Sequence, residues 1–172
     1  MSYQNQKKKK TILYGGYALL LFIIFLIQYS GNMPLSLGSG SFSTVLPTVI
    51  AAAILFKEWP GSLFGLALGI AMDIVTNGSY CFNAVALMAI CCIVGVVISR
   101  IFLNNNMSSI VLMILGVFAY YLSKWFFLCL LTENTEPFLY LWKITLPSAL
   151  ITTIFGIPWF FLLRFVARKI VK

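Results

Sequence analysis

The sequence contains no histidine, and only four of its 172 residues are acidic. Without histidine, Ser–His and Cys–His nucleophilic catalysis is excluded. The four acids (Glu58, Asp73, Glu133 and Glu136) do not form a convincing acid/base pair. No Walker-type phosphate loop is present. The four cysteines (Cys81, Cys91, Cys92 and Cys129) include no CxxC, and with no histidine to join them they do not make a zinc site. They read instead as apolar packing residues within helices, with Cys81 at a membrane edge. The chain is therefore expected to be no enzyme and to hold no metal or cofactor.

Charge of both signs is scarce. Only 9% of residues are charged while 61% are hydrophobic, and mean hydropathy is +0.98. A soluble domain of this length needs far more charge to cover its surface. The composition is that of an all-α integral membrane protein, since β-barrel alternation is absent. The net charge of +8 comes largely from two clusters flanking apolar segments, Lys7–Lys10 and Arg164, Arg168, Lys169, Lys172. No aromatic residues interleave the lysine run, so the charge points to membrane orientation and anionic lipid rather than to nucleic acid. The apolar stretch after the run is about as long as a membrane span. No small-residue cleavage site follows it, so it reads as a retained helix rather than a signal peptide.

Apolar windows predict six spans within a single domain, near 11–30, 43–57, 60–76, 82–103, 108–131 and 144–167, preceded by a basic tail over 1–10. The second and third are short for a hydrocarbon core that takes ~20 residues to cross. Placing the N-terminus inside puts Lys57, Arg100 and both basic clusters inside too, leaving Lys143 outside and Lys124 within a span. That bias predicts both termini in the cytoplasm. Pro60 suits the first turn of the third helix, and "KEWP" leaves only a tight turn before it. Trp59, Tyr80, Tyr140 and Trp142 fall where interfacial anchors belong.

Two features stand out inside the spans. Gly61, Gly65 and Gly69 recur every fourth residue, so they share roughly one helix face and form a groove for close helix approach. The groove serves either packing within this chain or docking of a partner helix. Asp73 continues the stripe, about 20 Å along the helix from Pro60, and Asn77 follows four residues later. A carboxylate at that depth needs a partner or water. Lys124, about 24 Å along the fifth helix from Ser108, lies at a similar depth. An Asp73–Lys124 ion pair is the first expectation, outward snorkelling of Lys124 is its main rival, and a substrate or proton site is a third reading.

The stretch "PGSLFGLALGIAMDIVTNGSYCFNA", with six helices and this chain length, resembles the bacterial rod shape-determining MreD family. The resemblance rests on Gly61, Gly65, Gly69, Asp73 and Gly78, with smaller echoes at Gln28, Pro47 and Arg100. The family often has a glycine just before the fourth helix, where this chain reads Cys81-Phe82-Asn83. The resemblance implies a non-catalytic subunit of the bacterial cytoplasmic membrane. Its implied partners are an MreC-like single-span protein and, directly or indirectly, the MreB filament, RodA and its transpeptidase. Those partners support side-wall peptidoglycan synthesis. It also implies a fold similar to the substrate-binding subunits of energy-coupling-factor transporters. The alternative follows from that fold: a vitamin-binding subunit of such a transporter. Such a subunit needs a polar and aromatic cavity near the outer face, and the outer loops here offer few polar groups for one.

Overall fold

The computed structural model describes residues 3–30, 36–37, 40–41, 43–76, 81–100, 106–131 and 137–171, with side chains over 14–30, 43–76, 81–100, 107–128 and 138–165. Helix dominates these residues. α1 spans Tyr3–Tyr29 and is followed by a minimal antiparallel pair, β1 (Ser36–Leu37) and β2 (Gly40–Ser41), with Ser36 opposite Ser41. Then come α2 (Val45–Phe56), α3 (Glu58–Val75), α4 (Phe82–Arg100) and α5 (Asn106–Leu131). A last rod is built from α6 (Pro137–Tyr140), a π-helical turn (Leu141–Thr145) and α7 (Leu146–Val171).

Three segments, Phe82–Arg100, Met107–Leu128 and Phe138–Phe165, are long and apolar enough to cross a membrane. The chain is thus an all-α membrane protein. Tyr14–Tyr29 and Val45–Phe56 are apolar but shorter. Two boundaries differ most from the sequence expectation. α1 runs back through the lysine run to Tyr3, where a tail was expected. Lysine and glutamine are good helix formers, so the helix need not wait for the apolar stretch. The last rod starts at Pro137, ahead of the expected 144, and shortens the preceding loop.

The short second helix has a physical explanation. α2 contacts α1, α3, α4, α5 and α7, and all its residues except Leu55 are buried. A helix apolar on every face belongs in the interior. Its 12 residues make about 18 Å, short of a ~30 Å hydrocarbon core, so it serves as the bundle's axis. Helices in lipid gain little from the hydrophobic effect and rely on packing and hydrogen bonds. Thr48, fully buried on α2, supplies such bonds. Its Oγ1 donates to the Thr44 carbonyl (2.6 Å) and accepts from Trp159 Nε1 of α7 (2.9 Å). The Tyr17 hydroxyl of α1 donates to the Thr48 carbonyl at 3.2 Å. Near the other end of α2, Phe56 packs against Tyr14, Tyr17 and Phe64, tying α1, α2 and α3 together.

A single residue separates α2 from α3. Lys57 has φ 68° and ψ −160°, a region nearly reserved for glycine and costing a non-glycine residue about 1–3 kcal/mol. The turn persists because both its polar backbone groups are used: Lys57 N–H donates to Ala53 O (3.0 Å) and Gly61 N–H to Lys57 O (3.1 Å). The Lys57 side chain is exposed. Lys57→Gly should therefore raise the thermal midpoint of the purified chain in detergent, by a stabilisation of about 1 kcal/mol, while Lys57→Ala should not. A lower midpoint for the glycine variant would show that the turn is unstrained.

The π turn also has a local cause. Pro147 has no N–H to donate, and its ring crowds the carbonyl four residues back. The widened turn ahead of it makes room, with Leu146 N–H reaching the Leu141 carbonyl five residues back.

Candidate functional site

Along the α3–α4 hairpin, the glycine stripe is consumed inside the chain. A Cβ added at Gly61 would lie 2.6 Å from Ala53 Cα of α2. At Gly65 it would lie 2.8 Å from the Leu87 carbonyl oxygen of α4, and at Gly69 it would strike Ala84 Cα. The stripe drifts about 40° per four residues, so its first glycine meets α2 and the next two meet α4. Gly95 of α4 returns the fit, its missing Cβ leaving room for Glu58 of α3. Docking of a partner helix on Gly61, Gly65 and Gly69 is thereby corrected: other helices of the same chain already fill that groove. Among the described glycines, Gly15 and Gly16 of α1 are the two with open space where a side chain would stand.

Both acids within the described side chains hold α3 to α4, one at each end. Glu58 accepts from the Ser99 hydroxyl near the Lys57 turn. At the opposite end Asp73 is 6% exposed, and both of its oxygens are acceptors. Oδ1 takes the Asn83 N–H (3.1 Å) and Asn83 Nδ2 (2.8 Å); Oδ2 takes the Ala84 N–H (2.9 Å). These two backbone donors belong to the first turn of α4, whose N–H groups have no partner within the helix. In hydrocarbon such groups must be satisfied by protein, and the positive end of the α4 dipole favours a carboxylate. Asp73 is thus an N-cap supplied by a neighbouring helix.

The network continues into α5. Tyr120, nearly inaccessible, donates its hydroxyl to Asn83 Oδ1 at 2.6 Å. Asn83 thereby gives its amide to the carboxylate and its carbonyl oxygen to the tyrosine. Beside it, the Tyr121 hydroxyl lies 3.0 Å from Thr152 Oγ1 of α7, which also accepts Ser43 N–H at 3.4 Å.

α1 and α2 repeat the capping device with a neutral residue. Gln28 Oε1, at the end of α1, accepts Thr44 N–H (2.9 Å), Thr44 Oγ1 (2.7 Å) and Val45 N–H (3.1 Å), while its Nε2 donates to Ser43 Oγ at 3.2 Å. Gln28→Ala should cost about 1–2 kcal/mol by leaving these donors without an acceptor. SDS-induced unfolding of the purified chain measures it; an unchanged midpoint would show that water reaches the α2 terminus.

The expected Asp73–Lys124 pair is not formed. Asp73 is occupied by α4, and Lys124 is exposed on α5 with no ion pair to it. Asn77 and Gly78 lie outside the described residues. Sequence reasoning missed Asn83 and Tyr120 as partners. The signal was available: a short turn returns α4 beside α3, so a carboxylate in the last turn of α3 is the acceptor nearest to the unpaired amides of α4. Arg164, read as part of the basic cluster flanking the last span, is buried. Cys91 is buried behind Gly65, whereas Cys81 and Cys92 are exposed. Among the described residues, no three Cys, Asp or Glu side chains converge as metal ligands would. Compared with protein-family models, with curated proteins and with solved structures, the chain matches none.

Proposed function

We propose that this chain is a non-catalytic, multi-pass subunit of the bacterial cytoplasmic membrane that serves the cell-elongation machinery, as the MreD-like pattern of residues 60–84 implies. The observation that carries the reading is the use made of that pattern. Gly65 and Gly69 admit the α4 backbone, and Asp73 caps α4, so three of the residues behind the resemblance build one hairpin. Described polar groups at that end are largely spent on one another, as befits a scaffold that presents its outside to other membrane proteins. The vitamin-carrier alternative would draw its ligand groups from the same cluster, where Asp73, Asn83, Tyr120, Tyr121 and Thr152 are already engaged.

Six spans with both termini cytoplasmic form part of the same proposal. Lys57 and Arg100 end adjacent helices on one side of the bundle, where Gly95 meets Glu58, and this supports their common placement inside. The test is copurification of the full chain with a single-span MreC-like protein, combined with depletion in a rod-shaped bacterium. Retention of that protein and rounding of depleted cells are expected. Unaltered rods and no single-span partner would overturn the reading, and tight retention of a vitamin by the purified chain would replace it.

Because the stripe is internal, loss of a partner on Gly65→Leu would report a damaged bundle rather than a lost contact. Substitutions for locating the partner therefore belong on exposed faces. α1 offers one, with Leu19, Phe22, Ile23, Leu26 and Ile27 all exposed.

A further inference from the structure

Lys124 stands one helical turn beyond Tyr120 and Tyr121 on α5, and the spacings of four and three residues put it on their side of the helix. That side faces the bundle: Met113, Val117, Tyr120 and Tyr121 are all buried. Lys124 itself is exposed. Lys124 thus stands one turn beyond the hydrogen-bonded cluster of Asn83, Tyr120, Tyr121 and Thr152, just before Phe127, which stacks on Phe82 of α4. Leu122 and Phe126 present exposed apolar surface on the helix's other side, and exposed Phe138 and Trp142 lie on the last rod.

Among the described residues Lys124 has no carboxylate partner, and an ammonium within a membrane span requires an anion or a route to water. The buried carboxylate at this end does not serve, because Asp73 is held by Asn83 and Ala84. About 10 Å of α5 remains beyond Lys124, a distance over which a four-carbon stem climbs toward headgroup level. An ammonium binds phosphate as a compact point charge.

We infer that Lys124, above the Tyr120–Tyr121 cluster, seats the phosphate of an anionic phospholipid in the leaflet at the Asp73 end of the bundle. The site holds whether or not the chain serves the elongation machinery, because it depends on α5 and its lipid surroundings alone.

Trp125, the next residue, provides the probe. The full chain is reconstituted in phosphatidylcholine vesicles containing brominated phosphatidylglycerol or brominated phosphatidylcholine, and the Trp125 signal is isolated by difference from Trp125→Phe. Brominated phosphatidylglycerol should quench Trp125 several-fold more strongly. Lys124→Gln should make the two lipids equal, while Lys124→Arg and the control Lys143→Gln should keep the preference. Lys124 is exposed, so its variants should fold, and an unchanged thermal midpoint verifies this. Equal quenching in the unaltered chain, or a preference that survives Lys124→Gln, would overturn the inference and assign any anionic-lipid attraction to the basic termini. Relief of quenching by millimolar inorganic phosphate would overturn it in favour of a free anion. If Lys124→Gln instead loses a copurifying single-span protein and leaves the lipid preference intact, the ammonium serves a partner's carboxylate and the lipid assignment fails.

Discussion

Asp73→Ala should cost about 3 kcal/mol, because it strips an acceptor from two backbone amides and a side-chain amide inside a membrane protein. The cost exceeds that of an ordinary cap for two reasons. Water is scarce in the hydrocarbon, so the freed Asn83 and Ala84 N–H groups find no substitute. Asn83 also loses the partner that orients it toward Tyr120, so the tie from α4 to α5 loosens as well. Asp73→Asn should fall between the two, since one amide oxygen replaces two acceptors. Lys124→Gln should leave stability nearly unchanged, which separates the cap from an ion pair. SDS-induced unfolding of the unaltered chain, the three single variants and the Asp73→Ala/Lys124→Gln double variant measures the series. Equal losses for Asp73→Ala and Lys124→Gln, with a double variant no worse than either, would restore the pair and remove the cap from its central role.

Much of this architecture was legible in the sequence. Apolar runs and basic flanks placed the helices within a few residues, except at the start of α1 and of the last rod. At the start of α1 the helix extends through lysines and glutamines whose hydropathy carries no membrane signal but whose propensity is helical. The last rod instead takes in the apolar Phe138–Trp142 stretch, which the apolar windows leave outside the sixth span. The glycine period gave the close-packing face directly. What periodicity could not give was the identity of the neighbour. A groove reads the same whether α4 or a foreign helix fills it, and only the tertiary arrangement distinguishes them. Asp73 shows the same limit from another side. Depth along two helices matched it to Lys124, but depth fixes one coordinate and leaves the rotation of each helix free. Lys124 shares a face with Tyr120, which reaches the Asn83 bound to Asp73, yet both carboxylate oxygens are taken by the first residues of α4. Unpaired amides at the α4 terminus were a nearer demand for a carboxylate than a distant ammonium, and counting them would have identified the partner.

Gly69→Ala should be the most damaging single methyl added to this chain, at about 3 kcal/mol or more, the upper end for overpacking. The new Cβ would strike Ala84 Cα and lie 2.6 Å from the Asn83 carbonyl oxygen, and both are backbone atoms that cannot rotate aside. Gly116→Ala places its Cβ 3.1 Å from Ile50 Cδ1, the far end of a flexible side chain, and should cost no more than about 1 kcal/mol. Gly15→Ala meets nothing within 4 Å and should be neutral, or stabilising by up to about 1 kcal/mol through helix propensity. Unfolding midpoints in that order are the expected result, and a Gly69→Ala chain as stable as the unaltered one would refute the close α3–α4 approach. The obstructed atoms belong to the residues that Asp73 caps, so displacing α4 at Gly69 should also pull its first amides off the carboxylate. Gly69→Ala and Asp73→Ala then share part of their damage, and their combined loss should be smaller than the sum of the two. Full additivity would show that the cap and the glycine contact are independent supports rather than two parts of one joint.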